Sequence, residues 1–182
     1  MRKYPFQRLI GALMYLAVST RPDIAYAVNF LSQFNANYST EHWLAAKRIL
    51  RYLRGTEGHG LMYQKSDIPL YGVVDADWGA NTVDRRSYSG YAFILAGAAI
   101  CWEARKQRTV ALSSVEAEYM AMSEATKEAI YLQGLLRDTA RRRDHTIQRQ
   151  QGSTAFDILT KGLTGPKHIQ CQDGLGMIEL RE

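Results

Sequence analysis

The sequence predicts an α+β fold, in which a helical N-terminal segment is followed by a partial antiparallel meander packed on a long helix. Apolar residues recur at helical spacing through the first 56 residues. After Gly58, short runs rich in β-branched and aromatic residues alternate with turns, until one long helical pattern begins near Ser114. The 182 residues suffice for one ordinary domain with an appendage.

Three helices are expected in the N-terminal segment. The first covers roughly residues 6–18. The second begins near Thr20, a good N-cap, with Pro22 in its first turn and Asp23 facing its positive end. The third begins at Ser39 or Thr40 and stops at Gly55, a plausible C-terminal glycine. Its outer face carries a basic stripe, made of Lys47, Arg48, Arg51 and Arg54.

The meander is expected to contain three or four short strands. We place them at residues 61–63, 70–75, 88–95 and 99–103, with the long helix at about 114–137. Three such strands with one helix would leave one edge and part of one face of the sheet uncovered.

Composition excludes several classes of protein. No apolar run approaches the roughly 18 residues that span a bilayer, and we expect the stretch after Gln7 to be a core helix rather than a signal peptide. Cys101 and Cys171 form no zinc-binding pair, and the four histidines are scattered. The net charge of +5 permits a polyanionic partner. We expect an intracellular protein, cytoplasmic or nuclear, without a membrane partner.

Two acidic sites stand out. Asp75 ends a β-branched run, and Asp77 shares its face if the strand persists, because side chains repeat every second residue. The alternative is a turn in which both aspartates have turn-forming roles.

The second acidic site opens the long helix, where Ser113 and Glu116 form a capping box. Helical phase places Glu116 on the wet face and Glu118 on the apolar face, where an unpaired carboxylate costs several kcal/mol. Glu118 should therefore face a cation, unless it snorkels or pairs with an arginine. We expect Asp75 and Glu118 to approach within about 10 Å, so that they could share one Mg²⁺.

At these residues the sequence resembles the RNase H region of copia-type LTR-retrotransposon polyproteins. The motifs that carry this resemblance are residues 75–78, 84–91, 106–114 and 116–119. Residues 9–16, 20–24 and 42–53 resemble the connection between polymerase and RNase H. The resemblance implies a connection at 1–56, a partial RNase H-like domain at 57–138 and a truncated tail at 139–182. It implies Asp75 and Glu118 as catalytic residues and metal ligands, with Asp77 as a further metal ligand.

The sequence also departs from that family. The family's next strand carries a third Asp, whereas here residues 145–148 look like the beginning of that strand and lead into Arg149. The resemblance therefore implies an internal deletion of several dozen residues. Asp138, Asp144 and Asp157 are possible substitutes. With two or three carboxylates for two Mg²⁺ ions, we expect at most one weakly held ion and little or no RNase H activity.

Three functions remain open: an impaired nuclease for the RNA strand of RNA–DNA hybrids, a non-catalytic nucleic-acid-binding or scaffold fragment, and a relic without function. A further partner is the polymerase part of the same polyprotein. We expect nucleic acid to contact five cations, which are Lys47, Arg51, Arg105, Lys106 and Arg108. The alternative for the first two is a solvated helix face. For Trp78 and Trp102 we favour core positions over base stacking.

Overall fold

The computed structural model describes residues 4–81, 83–139, 148–149, 159, 161 and 165–179. The N-terminal helices are α1 (Phe6–Ser19), α2 (Ala25–Ser32) and α3 (Thr40–Gly55), with a 3₁₀ turn (Pro22–Ile24) before α2. The later elements are β1 (His59–Leu61), β2 (Tyr71–Ala76), β3 (Tyr88–Leu95), β4 (Ala98–Lys106), α4 (Ser114–Thr139), β5 (Gln148–Arg149), α5 (Gly165–Gly174) and β6 (Met177–Glu179). The α+β class and the order of helices, meander and long helix are therefore confirmed.

Helix ends follow local chemistry, with two corrections. α3 begins at Thr40, one of its two predicted starts, and Ser39 caps it: the Ser39 hydroxyl accepts from the His42 N–H, and the Ser39 N–H donates to the His42 ring. Thr20 does not cap α2, because its N–H closes α1 by donating to a carbonyl of that helix. Gly55 is the last residue of α3 and not a left-handed C-terminal glycine, since Thr56 closes the helix through a bond to the Leu53 carbonyl.

The main sheet has the strand order β4-β3-β2-β5. Strands β2, β3 and β4 form the predicted antiparallel meander. β5 lies parallel beside β2, with Gln148 opposite Tyr71 and Arg149 opposite Gly72. Residues 145–148 resembled the beginning of a further strand, and of these Gln148 does lie in a strand, whereas 145–147 lie outside the described residues.

Strand β1 is the exception to the predicted meander. It begins at His59, two residues before the predicted start, and pairs with β6 at the C-terminal end of the chain, with His59 opposite Glu179. The physical reason is burial: Met177, Leu175 and Cys171 belong to the same core cluster as the N-terminal helices, so that α5 and β6 are held against that core.

The two faces of the main sheet bury different layers. Val73, Ala92 and Ile94 pack with α1, α2 and α3, so the N-terminal helices cover the face that we expected to be partly open. On the opposite face Phe93 packs against α4. Gly72 is required there, because a Cβ at this position would overlap the Phe93 ring. Among the described residues, no helix is long and apolar enough to cross a membrane.

A buried polar network joins the start of the chain to α5. Arg21 makes two bonds to the Asp23 carboxylate, of 3.0 and 2.8 Å, and two more to Thr56. Tyr52 of α3 donates to Asp23 Oδ2 at 2.6 Å, and burial together with the Asp23 charge raises the pKa of this tyrosine, which keeps it a donor. Asp23 lies in the first helical turn as expected, and its carboxylate is also the centre of a charged cluster.

From α5, Gln172 donates to Asp23 Oδ2 at 3.2 Å and to the Tyr52 hydroxyl at 2.7 Å. His168 Nε2 lies 3.0 Å from the same hydroxyl. Both carboxylate oxygens of Asp23 are therefore bonded, which is the condition under which a buried charge is tolerated.

Candidate nucleic-acid interface and acidic site

Asp75 and Asp77 lie at the end of β2 that approaches the loop before β3. Asp75 is opposite Gly90, and strand alternation places it on the face of Val73, toward the N-terminal helices. Asp77 continues the ladder one residue beyond β2, where its N–H donates to the Tyr88 carbonyl at 3.0 Å. The predicted shared face of the two aspartates agrees with this pairing.

The Asp77 carboxylate is buried and only half satisfied. Its Oδ1 accepts the Tyr88 N–H at 2.5 Å, whereas Oδ2 is buried without a hydrogen-bond partner. Burial raises the pKa of Asp77, the neighbouring Asp75 charge adds to that rise, and the Tyr88 N–H and Lys161 oppose it. Both the turn-forming role and a metal-facing oxygen are compatible with this geometry.

Glu118 is exposed, which corrects the prediction that it lies on the buried face of α4. The buried residues of the helix are Ala117, Ala121, Ala125 and Leu132. Alanines let the helix approach the sheet closely and leave a narrow buried face, from which the next residue is already turned by about 100°. The argument that Glu118 needs a cation because it is buried therefore fails.

The start of α4 and the end of β2 lie at the same end of the sheet, because the Trp78 Nε1–H donates to the Ala111 carbonyl at 3.2 Å. The approach of Asp75 to Glu118 remains a prediction.

Glu116 is exposed as expected, and the Ser113 hydroxyl accepts the Glu116 N–H at 3.1 Å. The Glu116 carboxylate accepts the Leu112 N–H at 2.7 Å. In a standard capping box it would accept the N–H of the N-cap residue Ser113, so this bond is shifted by one residue.

The described part of the chain contains no group of three or more Asp, Glu, His or Cys side chains that could hold a metal ion. Of the possible substitute acids, Asp138 is exposed near the end of α4, and Asp144 and Asp157 lie outside the described residues. The described donors thus do not fit a two-metal centre, which needs several converging carboxylates.

The three cations before α4 differ in their surroundings. Lys106 is held by Asp84 at 2.7 Å and by Gln33, and this ion pair lowers the pKa of Asp84. Arg105 and Arg108 are exposed, and Arg105 makes a solvent-facing contact of 3.6 Å with Glu103. These cations line a cleft of about 180 Å³ between β4 and α4, together with Ser89, Tyr91, Glu103, Gln107, Met120, Ser123 and Glu124.

The floor of this cleft is fixed by Gln107. Its side-chain amide donates to Ser89 on β3 at 2.8 Å and to the Ala117 carbonyl on α4 at 2.9 Å. The basic stripe of α3 is a second exposed cationic surface, where Lys47, Arg48, Arg51 and Arg54 line an open groove with Leu44 and Leu50.

The two tryptophans behave differently. Trp102 is a core residue as predicted, since it packs on the N-terminal helices and donates to the Ala17 carbonyl at 2.8 Å. Trp78 is 58% exposed, which overturns its predicted core position. Its indole N–H is satisfied at the surface by Ala111, so burial is not needed to place it. The sequence contains no local signal for this contact, which joins residues 33 positions apart.

Neither a protein-family model nor a solved structure matches the chain. The chain is 51% identical over 133 residues to a Plasmopara viticola protein named secreted RxLR effector protein 161, covering 72% of this chain and 94% of that protein. It is 43% identical over 171 residues to the retrovirus-related Pol polyprotein from transposon TNT 1-94 of Nicotiana tabacum, covering 93% of this chain and 13% of the polyprotein. It is 42% identical over 132 residues to the corresponding RE2 polyprotein of Arabidopsis thaliana, covering 72% of this chain and 9% of the polyprotein.

Proposed function

The chain belongs to the family of retrovirus-related Pol polyproteins of copia-type retrotransposons, and from this premise we propose that it binds RNA–DNA hybrids and cleaves them little or not at all. The observation that carries the proposal is the contrast between the basic cleft and the acidic site. The cleft beside α4 offers exposed cations, whereas the described acids form no group of three.

The cleft supports the binding half of this proposal. Arg105 and Arg108 line the cleft together with the anchored Gln107, and each guanidinium can donate to a phosphate oxygen. Phosphate contacts of this kind are independent of sequence and weaken with salt. Glu103 and Glu124 also line the cleft, so we expect moderate affinity rather than tight binding.

The set of available carboxylates supports the second half of the proposal, which is that cleavage is weak or absent. Mg²⁺ in such enzymes stabilises the attacking and leaving oxygens of phosphodiester hydrolysis. Here Asp75 and Asp77 are adjacent, but Asp77 already gives one oxygen to the Tyr88 N–H, and Glu118 stands in solvent. We expect at most one weakly held Mg²⁺, and a second metal would lack ligands among the described residues.

Hybrid binding is tested with a labelled RNA–DNA hybrid and fluorescence anisotropy at several salt concentrations. Replacing Arg105 and Arg108 together by alanine should weaken binding and reduce the log–log salt slope by about 1.8, at about 0.9 per phosphate lost. The matched control is the double replacement Arg8→Ala and Arg137→Ala, which removes the same charge from exposed positions elsewhere. Equal losses in both double variants would reduce the effect to net charge and contradict the proposed cleft.

Cleavage is tested on the same hybrid with Mg²⁺. We expect the protein and its Asp75→Asn variant to release the same trace of product. Cleavage at a rate typical of intact RNases H, abolished by Asp75→Asn, would overturn the second half of the proposal. Asp144 and Asp157 would then be the first acids to examine.

A further inference from the structure

Trp78 is held in a fixed position at the surface. The residue before it, Asp77, is hydrogen-bonded to Tyr88 through both its N–H and its carboxylate. The residue after it, Gly79, is buried, has a φ of +60°, and donates its N–H to Ser87 Oγ at 3.0 Å. With the indole N–H bonded to Ala111 as well, the backbone and the ring of Trp78 are both anchored while the ring stays 58% exposed.

An arginine contacts the residue that follows this tryptophan. The Arg85 guanidinium lies over Gly79, since its Nη2 is 3.7 Å from the point where a Cβ of that glycine would be. Arg85 itself has a φ of +57°, and its N–H is fixed by the Asn81 carbonyl at 2.8 Å. Proteins bind single-stranded nucleic acid by combining an exposed aromatic ring, on which a base stacks, with nearby cations that neutralise the backbone, and Arg85 is such a cation one residue from Trp78.

The ring is also within reach of the basic cleft. Arg108 precedes Ala111, the tether of Trp78, by three residues, which span at most about 11 Å of chain. Stacked nucleotides advance 3.4 Å each along a strand. A strand whose phosphate is held at Arg108 therefore needs only about three further nucleotides to reach the indole.

We propose that Trp78 is a stacking platform for an unpaired base of a nucleic-acid strand whose backbone lies in the Arg105–Arg108 cleft. This inference rests on the proposed function and names its substrate class: a hybrid that continues into a single strand. A base inside a duplex is already stacked on both sides, so a fixed exposed ring gains a partner only where pairing ends.

The competing occupant is an apolar surface of another protein. Leu112 is 84% exposed, and Val115 is exposed on the first turn of α4. Charge favours the nucleic acid, because Arg85, Arg86 and Arg108 are all exposed on the segments that border Trp78. A hydrophobic partner would gain from Leu112 as much as from the indole, and the experiment uses this difference.

The experiment compares three labelled ligands by anisotropy: a blunt RNA–DNA hybrid, the same hybrid with a single-stranded overhang, and the isolated single strand. For Trp78→Ala we expect about tenfold weaker binding of the two ligands with unpaired bases, and less than twofold change for the blunt hybrid. Trp78→Phe should restore most of the affinity. Phenylalanine also loses the bond to Ala111, so this restoration separates stacking from the tether.

The matched apolar control is Leu112→Ala, which should leave all three affinities unchanged. An equal loss in Leu112→Ala and Trp78→Ala, or no loss in Trp78→Ala, would overturn the inference. The two proposals fail separately. If replacing Arg105 and Arg108 has no effect while Trp78→Ala weakens single-strand binding, the cleft and the path of the strand through it are wrong, and only the stacking role of Trp78 stands. If the wild-type protein binds none of the three ligands, both are wrong.

Discussion

Asp23 and Asp77 are both buried aspartates, with 3% and 8% of their surfaces exposed, and the fold treats them in opposite ways. Asp23 is bonded through both oxygens, to Arg21, Tyr52 and Gln172. Asp77 has one bonded oxygen and one buried oxygen without a partner. The first arrangement stabilises a structure, whereas the second carries a cost that folding alone does not require.

The difference matches the positions of the two residues. Asp23 lies where the N-terminal helices meet α5, far along the chain from its Gln172 partner, and thus joins distant segments. Asp77 directly follows β2, is close enough to Asp75 for the two charges to interact, and precedes the exposed Trp78 in the chain. Unsatisfied buried acids of raised pKa are concentrated at functional sites, which agrees with the proposed location of nucleic-acid contacts.

The largest effect on stability is expected for Asp23→Asn. This change leaves the buried Arg21 guanidinium without its charge partner, so the free energy of unfolding should fall by about 3–5 kcal/mol. Urea denaturation measures it, with Asp173→Asn on the exposed side of α5 as the control, expected to change stability by less than about 0.5 kcal/mol. A loss in Asp23→Asn no larger than in the control would show that the network contributes nothing.

The contact between α5 and this network is tested with two glutamines of the same helix. Gln172→Ala removes the bonds to Asp23 and Tyr52 and should cost about 1–2 kcal/mol in urea denaturation. Gln170→Ala, at an exposed position two residues earlier, should be nearly neutral. Similar stabilities of the two variants would mean that α5 is not held by Gln172.

Asp77→Asn is expected to stabilise the protein, in contrast to the two preceding changes. Asparagine keeps the acceptor for the Tyr88 N–H and removes a buried charge whose Oδ2 has no hydrogen-bond partner, so stability at neutral pH should rise by about 1 kcal/mol. Because the pKa of Asp77 is raised on folding, its cost is absent below the ordinary aspartate pKa near 3.9 and grows as pH rises through the folded-state value.

Unfolding of Asp77→Asn and wild type is therefore compared at neutral and at acid pH, with exposed Asp67→Asn as the control. The stabilisation should be present at neutral pH and disappear in acid. A destabilised Asp77→Asn protein at neutral pH would show that Oδ2 has a role in the fold after all.

Local signals in the sequence predicted the local elements well. The bounds of β3, the start of α4 and its Ser113 cap are as expected, because each depends on residues within one turn or one strand. The burial of Glu118 was predicted wrongly, since the width of a buried helix face depends on the sizes of the residues that pack on the sheet. Alanines at 117, 121 and 125 make that face narrow.

Distant contacts were not predictable in this way. The pairing of β1 with β6 joins His59 to Glu179, and nothing in either three-residue strand specifies the other. The same holds for Trp78, whose exposure depends on a carbonyl at Ala111 that accepts its N–H. Both missed features depend on which segments the core brings together.

The smallest effect is a pH dependence from His168. The Tyr52 hydroxyl already donates to Asp23, so His168 Nε2 must carry a proton and donate it to Tyr52. Burial lowers the pKa of His168, and the Arg21 charge works in the same direction against the opposing Asp23. The unfolded chain therefore takes up the second ring proton at a higher pH than the folded chain does. The contribution of the neutral ring to stability is fully present above the ordinary histidine pKa near 6.5 and is lost as pH drops below it.

His168→Gln, whose amide can still donate to Tyr52, should show a flatter decline in stability between neutral pH and pH 5 in thermal unfolding. Since His42 and His59 remain in both proteins, they provide the internal control, and identical declines would assign the pH dependence to groups other than His168.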